Sequence, residues 1–275
     1  MSRNSSSVTG VTQQINAAAP WDSRLERLAA VGLNTWGVAD GSGYQEWLPG
    51  CRAVVVVGSG GPRLWQTFRA AAELDPRLIT GQRDPLDQFV RAQVQAIDPN
   101  PDSSRRWAFG DNQQAPGLPS QPLALDAGFG WRSRLWLVIH PVWGPWLGLR
   151  AACFTTEALP LTGPQTTASP CEGCPAPCIS ACPGSAMGSG NMDWRRCTIH
   201  RATTADCLDR CHSRSACPVG AAHRYPDDAM LWHHDKARGR QAVVTALGVD
   251  DPAAPAGVDW AAMLRRAGER VRGGG

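Results

Sequence analysis

The 275-residue sequence lacks any long hydrophobic run. Its longest apolar stretches, residues 53–57 and 135–139, fall far short of the ~20 residues that a membrane-spanning helix needs. The first twenty residues, MSRNSSSVTGVTQQINAAAP, have no apolar core, so a secretory signal is not expected and a reducing, cytoplasmic setting is. Lysine is nearly absent: Lys236 stands alone, and arginine carries the remaining positive charge. With 27 basic against 24 acidic residues the net charge is only +3, which lacks the strong basic balance of a nucleic-acid binder. No Ser-His-Asp set, zincin motif or paired-carboxylate pattern is present, and the Gly58-Ser59-Gly60-Gly61 stretch lacks both the Lys-Ser/Thr of a P-loop and the spacing of a dinucleotide fingerprint. That stretch reads as an ordinary strand-to-helix turn. Disorder is excluded for the body of the chain by a hydrophobic content of 43%.

Cysteine is what the sequence has in excess. Eight of the ten cysteines lie within residues 171–217. In a reducing compartment such a dense thiol set points to metal rather than disulfides. Cys171, Cys174, Cys178 and Cys182 follow the spacing C-x2-C-x3-C-x3-C-P, and Cys197, Cys207, Cys211 and Cys217 follow C-x9-C-x3-C-x5-C-P. The two runs, each ending in Cys-Pro, form an approximate duplication. A 4Fe–4S cube needs four thiolates at the corners of a tetrahedron, and a tight loop reaches only three of them. In two-cluster ferredoxins the last cysteine of each run serves the other cluster. Applied here, that rule groups Cys171, Cys174, Cys178 and Cys217 around one cluster, and Cys197, Cys207, Cys211 and Cys182 around the other. Structural zinc also takes four thiolates, so a zinc protein remains an alternative, as do disulfides. Arg195, Arg196, Arg201, Arg210 and Arg214 fall inside the module; they either offset the charge of a cluster or form a solvated surface. His200, His212 and His223 are expected at the surface, and Cys51 and Cys153 as small core residues.

Hydrophobic patterning places a helix from Asp22, strands at 35–39 and 53–57, helices at 63–74 and 85–97, a short strand at 106–109, a short helix at 121–127 and strands at 135–139 and 146–154. The bare β-branched run at 53–57 is the pattern of a strand buried on both faces. The organisation expected is a disordered tail (1–19), an α/β or α+β domain (20–157), a linker (158–170), the cysteine module (171–224) and C-terminal helices (225–275), including one at 227–238 and a last one at 260–272.

Three stretches resemble the epoxyqueuosine reductase family. Ala127-Gly-Phe-Gly-Trp131, with Arg134 three positions on, resembles the family's AGLGW segment. Gly144-Pro-Trp146-Leu-Gly148 resembles its glycine–aromatic strand. The third is the cysteine module itself, with Cys182-Pro-Gly-Ser-Ala and Asp193-Trp-Arg195-Arg196-Cys197. The likeness covers roughly residues 22–220 and implies an N-terminal domain akin to nitroreductase or cobalamin-processing proteins, joined to a ferredoxin-like domain with two 4Fe–4S clusters. It further implies a bound cobalamin near Trp131 and Arg134, and an electron donor of flavodoxin or ferredoxin type. Trp136, Trp143 and Trp146 are also expected around the cofactor pocket or in the core. One departure bears on the activity. Where the family has an acid in an Asp-Ser-Ala-Pro stretch, this chain has Gln113-Gln114-Ala115-Pro116, and glutamine cannot donate a carboxylic proton. The family's tRNA-binding helical repeat is not found either. The expectation is therefore a related iron–sulfur reductase that does not act on tRNA, with a ferredoxin-like electron carrier and a structural zinc protein as alternatives.

Overall fold

The computed structural model describes residues 19–99, 101–110, 117–188 and 191–251. The expected tail, the Gln113–Pro116 stretch and the helix at 260–272 lie outside the described residues. The first layer is a helix pair over a sheet. Helix α1 (Ala19–Ala30) buries Leu25 and Leu28, and Asp22 sits in its first turn rather than capping it. Strands β1 (Thr35–Asp40) and β2 (Ala53–Gly60) follow, then α2 (Arg63–Leu74) and α3 (Pro85–Ile97). Strand β3 (Arg105–Phe109), helix α4 (Ser120–Asp126), the short hairpin β4 (Trp131–Arg132) and β5 (Val138–Ile139), and the long strand β6 (Leu147–Thr155) complete this half.

The main sheet runs β1-β2-β6-β3, and every pairing in it is antiparallel. All eight residues of β2 are buried, because its alternating side chains enter two different cores. Ala53, Val55 and Val57 face α1, α2 and α3, while Val54 and Val56 face α4 and Phe154. On that second face Trp47 stacks on Phe154 with ring centroids 4.9 Å apart. Burial on both faces explains why the β2 sequence shows no alternation of polar and apolar residues.

The strand expected at 135–139 is shorter than its apolar pattern. Only Val138–Ile139 pairs, with Trp131–Arg132, and Trp136 takes a positive φ of 59° at the hairpin tip. The run is apolar because Leu135 and Ile139 enter a third cluster beside the cysteines. Residues 158–170 form no regular element, yet they are fastened to the sheet: Thr162 Oγ1 accepts from Val38 N–H at 2.9 Å and donates to Ala127 O at 2.8 Å.

The cysteine module carries α5 (Pro177–Ser180), α6 (Trp194–Thr203) and α7 (His212–Ser215). The chain then returns to the first core. The helix expected at 227–238 is two helices, α8 (Asp227–His234) and α9 (Lys236–Leu247). They break at Asp235, whose carboxylate accepts from Arg238 N–H and caps the second. Trp232 of α8 packs on Trp65 and Phe68 of α2 at 5.2 and 5.8 Å. Buried Arg240 of α9 pairs with Asp251 and donates to Ile79 O at 2.8 Å. The thiol module is thus an excursion from a sheet domain whose helices both precede and follow it.

Two glycines let the module approach the sheet domain. A Cβ at Gly144 (φ +58°) would lie 1.9 Å from Val219 O, and one at Gly220 (φ +68°) would lie 2.3 Å from the Trp143 carbonyl. Both positions also need the left-handed backbone that other L-residues adopt at a cost. Gly220→Ala should therefore destabilise the protein by about 2 kcal/mol or more. Denaturant unfolding checks this, and an unchanged midpoint would contradict the close approach.

Candidate metal centre

The eight module cysteines are all free thiols, and the fold sorts them into two sets. Cys171, Cys174, Cys178 and Cys217 line one void together with Ser133, Arg134 and Leu135 from the β4–β5 hairpin. Burial raises the Cys178 thiol above its ordinary range, and the charges of Cys171 and Cys174 push it the same way. Cys217 is raised by burial and by Cys171, Cys178 and Cys174. The second set forms around α6. Cys207 is pushed up to about 11 by burial and by the charges of Cys211, Cys197 and Cys182. Cys197 is raised by burial and by Cys211 and Cys182. The neighbours that raise each of these thiols all come from its own set, so the grouping by space matches the grouping expected from the exchanged last cysteine of each run.

Local structure explains the exchange. The short helices α5 and α7 pack against each other. Cys178 lies in α5 and Cys182 follows its end; Cys211 precedes α7 and Cys217 follows it. Each helix therefore hands one cysteine to either set. Ala176 adopts φ 55° at the start of α5, and its N–H donates to Cys174 Sγ at 3.4 Å. Ala186 N–H donates to Cys182 Sγ at 3.3 Å. Such donors stabilise thiolate and tune the potential of a bound cluster.

Four thiols around one void, as in the first set, are a donor set that a thiolate-bound metal centre can take. Ionisation of several neighbouring thiols is favoured by a cation among them. Arginines supply part of the compensation: Arg134 lowers Cys178, and Arg201 lowers Cys197 and Cys207.

Arg214 joins both sets to the sheet domain. It lies three residues after Cys211 and three before Cys217, and donates to Pro145 O at 2.7 and 3.1 Å. Its guanidinium also stacks over Trp146 and Tyr225 at 4.8 and 5.0 Å. Sequence reasoning placed this arginine on a surface or beside a cluster; nothing in the spacing signalled its role at the junction. The histidines expected at the surface divide. His212 is exposed, but His200 is half-buried against Gly184, and His223 packs on the Trp143 ring at 4.6 Å. The tryptophans are dispersed: Trp146 is core, Trp143 covers Gly60, Trp136 is exposed, and Trp131 donates to Thr167 O at 2.9 Å. Arg134 lies at the first thiol set. Cys51 and Cys153 are buried, 3% and 0% exposed.

A second feature lies at the open end of the sheet. The first four residues of β6 are half-buried and the rest buried, because β3 ends at Phe109, opposite Ala151. Val138, Leu147 and Leu149 are half-buried and each packs on the second core; Val138 precedes Ile139, which lines the first thiol void.

No family model matches the chain. Over 93 residues it is 37% identical to epoxyqueuosine reductase from Listeria monocytogenes, a match covering 34% of this chain and 24% of the relative. The matched stretch thus spans about a quarter of that relative's length. Among solved structures, epoxyqueuosine reductase from Bacillus subtilis superposes with a TM-score of 0.51 at 16% identity, covering 75% of this chain and 67% of the other. A reductive dehalogenase described as acting in B12-dependent dehalogenation gives 0.51 at 14% identity, covering 86% and 37%. A B12-trafficking protein from C. elegans gives 0.50 at 12% identity, covering 83% and 97%. The chain shares their mixed α/β fold, and its relation in sequence is to epoxyqueuosine reductase. Among the described residues no helix is long and apolar enough to cross a membrane.

The junction yields a pH prediction. His140 Nδ1 accepts from Val142 and Trp143 N–H at 3.0 and 3.2 Å, and burial with His223 nearby lowers its pKa to about 4. The unfolded chain, titrating near 6.5, binds this proton first. Stability contributed by neutral His140 is therefore complete above about pH 6.5 and falls as pH drops toward 4. Denaturant unfolding across this window should show a steeper loss for the parent than for His140→Gln; identical slopes would contradict the burial of this imidazole.

Proposed function

We propose that this relative of the epoxyqueuosine reductases is an iron–sulfur oxidoreductase, in which a ferredoxin-like module holding two 4Fe–4S clusters passes electrons to a corrinoid or substrate on the sheet domain. The observation that carries this reading is the sorting of eight cysteines into two sets, each drawn from both runs of the sequence. When bound, the clusters supply one-electron transfer and a corrinoid supplies cobalt chemistry. The chain's own residues do the rest. The cysteines hold the clusters, the Ala176 and Ala186 N–H groups point at sulfur, and Arg134 and Arg201 offset negative charge. Arg214, Gly144 and Gly220 hold the module against the sheet. Half-buried Val138, Leu147 and Leu149 are the proposed corrinoid face, with Trp131 and Arg134 nearby in the chain. Support for a corrinoid comes from the fold shared with a B12-dependent dehalogenase and a B12-trafficking protein.

The acid present in the family is replaced by Gln113, so reduction of epoxyqueuosine in tRNA is not the proposed reaction. The same replacement favours a second reading, an electron carrier without catalysis of its own. Corrinoid binding separates the two. Under the first reading, cobalamin added to oxygen-free protein shifts its visible spectrum, and Leu149→Glu abolishes the shift. No shift in either cobalt state supports the carrier.

The clusters themselves are tested by composition. Protein prepared without oxygen should contain about eight iron and eight sulfide per chain. Cys174→Ala should lose about half of each, and Cys51→Ala none. Equal losses in the two variants would overturn the ligand assignment.

A further inference from the structure

We infer that the surface over the second cysteine set is the docking face for a small acidic electron-carrier protein. The inference rests on the two-cluster reading and adds the partner. The two sets differ in exposure. Two thiols of the first set, Cys178 and Cys217, are buried beside the β4–β5 hairpin and its other two are half-exposed, whereas all four thiols of the second set are half-exposed. Electron transfer weakens steeply with distance, so the entry point is the set nearer the solvent.

The surface around that set is unusual in two respects. Trp194, Ile199 and Leu208 are 51%, 41% and 41% exposed, and each stands within three residues of a second-set cysteine. Single exposed apolar residues are ordinary, but several beside one redox site mark an interaction surface. The charge around them is unbalanced as well. Helix α6 contains no acid, and among the described residues its exposed Arg195 and Arg196 have no carboxylate partner. Of the nearby acids, Asp209 pairs with Arg238 at 3.2 Å and Asp227 with Arg210 at 3.4 Å, while Asp193 caps α6 by accepting from Arg196 N–H at 2.9 Å and Asp206 stands 3.4 Å from the His200 ring. Exposed apolar side chains near two guanidinium groups that have no ion-pair partner among the described residues complement a partner with an apolar contact ringed by carboxylates. Such complementarity gives fast, salt-sensitive, short-lived association, which suits electron delivery. In the transfer the carrier's reduced flavin loses one electron and the second-set centre gains one.

The test uses the full chain with its clusters, an acidic flavodoxin reduced at its flavin, and the variants R195E/R196E and Trp194→Ala. Cluster bleaching by the flavodoxin should slow ~10-fold or more in R195E/R196E at low salt, and the parent rate should fall as salt rises. Bleaching by dithionite, which needs no docking face, should be unchanged in both variants. Flavodoxin binding should weaken in parallel, Trp194→Ala included. Unchanged carrier kinetics and binding in R195E/R196E would overturn the docking face, as would tighter binding of a single-stranded RNA oligomer than of flavodoxin. Iron and sulfide measured on the same samples separate the two claims. Intact clusters with unchanged carrier kinetics overturn the docking face alone, whereas absent clusters overturn the reading beneath it and the docking face with it.

Discussion

Like charges held in a small volume are the constraint on which the structure turns. Thiols gathered this closely oppose one another's ionisation unless something cationic enters between them; Cys178 and Cys217 in one set, and Cys197 and Cys207 in the other, are raised by burial and by the charges of their neighbours. The chain gathers two such groups and sets Arg134 beside one and Arg201 beside the other. Such a set makes an uneasy hydrophobic core and a ready donor shell for a thiolate-bound metal centre. The excursion of residues 171–224 from the sheet domain follows from the same need, since a shell of polar sulfur and turning backbone cannot be built inside a sheet.

The sheet domain provides the rigid side of the arrangement. Strand β2 is buried throughout and pairs with β6 from Leu147 to Thr155, with one bulge that leaves Arg150 unpaired opposite Val57 and Gly58. The start of β6 meets the module through Trp146, Pro145 and Arg214, where the guanidinium stacks between two aromatic rings and donates to a carbonyl. Glycine at 144 and 220 leaves out side-chain atoms that would clash with the facing backbone at Val219 and Trp143. The return of α8 and α9 to the first core closes the excursion, so the module is anchored at both of its ends.

Much of this was legible in the sequence. The β-branched run at 53–57 announced a doubly buried strand, helices at 63–74 and 85–97 showed their apolar stripes, and the duplicated Cys-Pro endings marked the cysteine module as one unit. What was not legible had a physical cause in each case. The run at 135–139 is apolar because it lines the thiol void, so its composition imitates a strand it does not form. The break at Asp235 hides in a continuous polar pattern, because a capping aspartate looks like any other surface acid. The antiparallel sheet order depends on long-range pairing that no local pattern encodes. Arg214 was invisible as a junction residue, because its partners are a carbonyl and two rings far away in the chain.

The most direct measurement is a diffraction experiment on oxygen-free protein with anomalous data collected at the iron edge. The account predicts two compact iron peaks per chain, one enclosed by the sulfurs of Cys171, Cys174, Cys178 and Cys217, the other by those of Cys182, Cys197, Cys207 and Cys211. A signal at the zinc edge alone, or a single iron centre drawing its thiolates from one run of four, would contradict it.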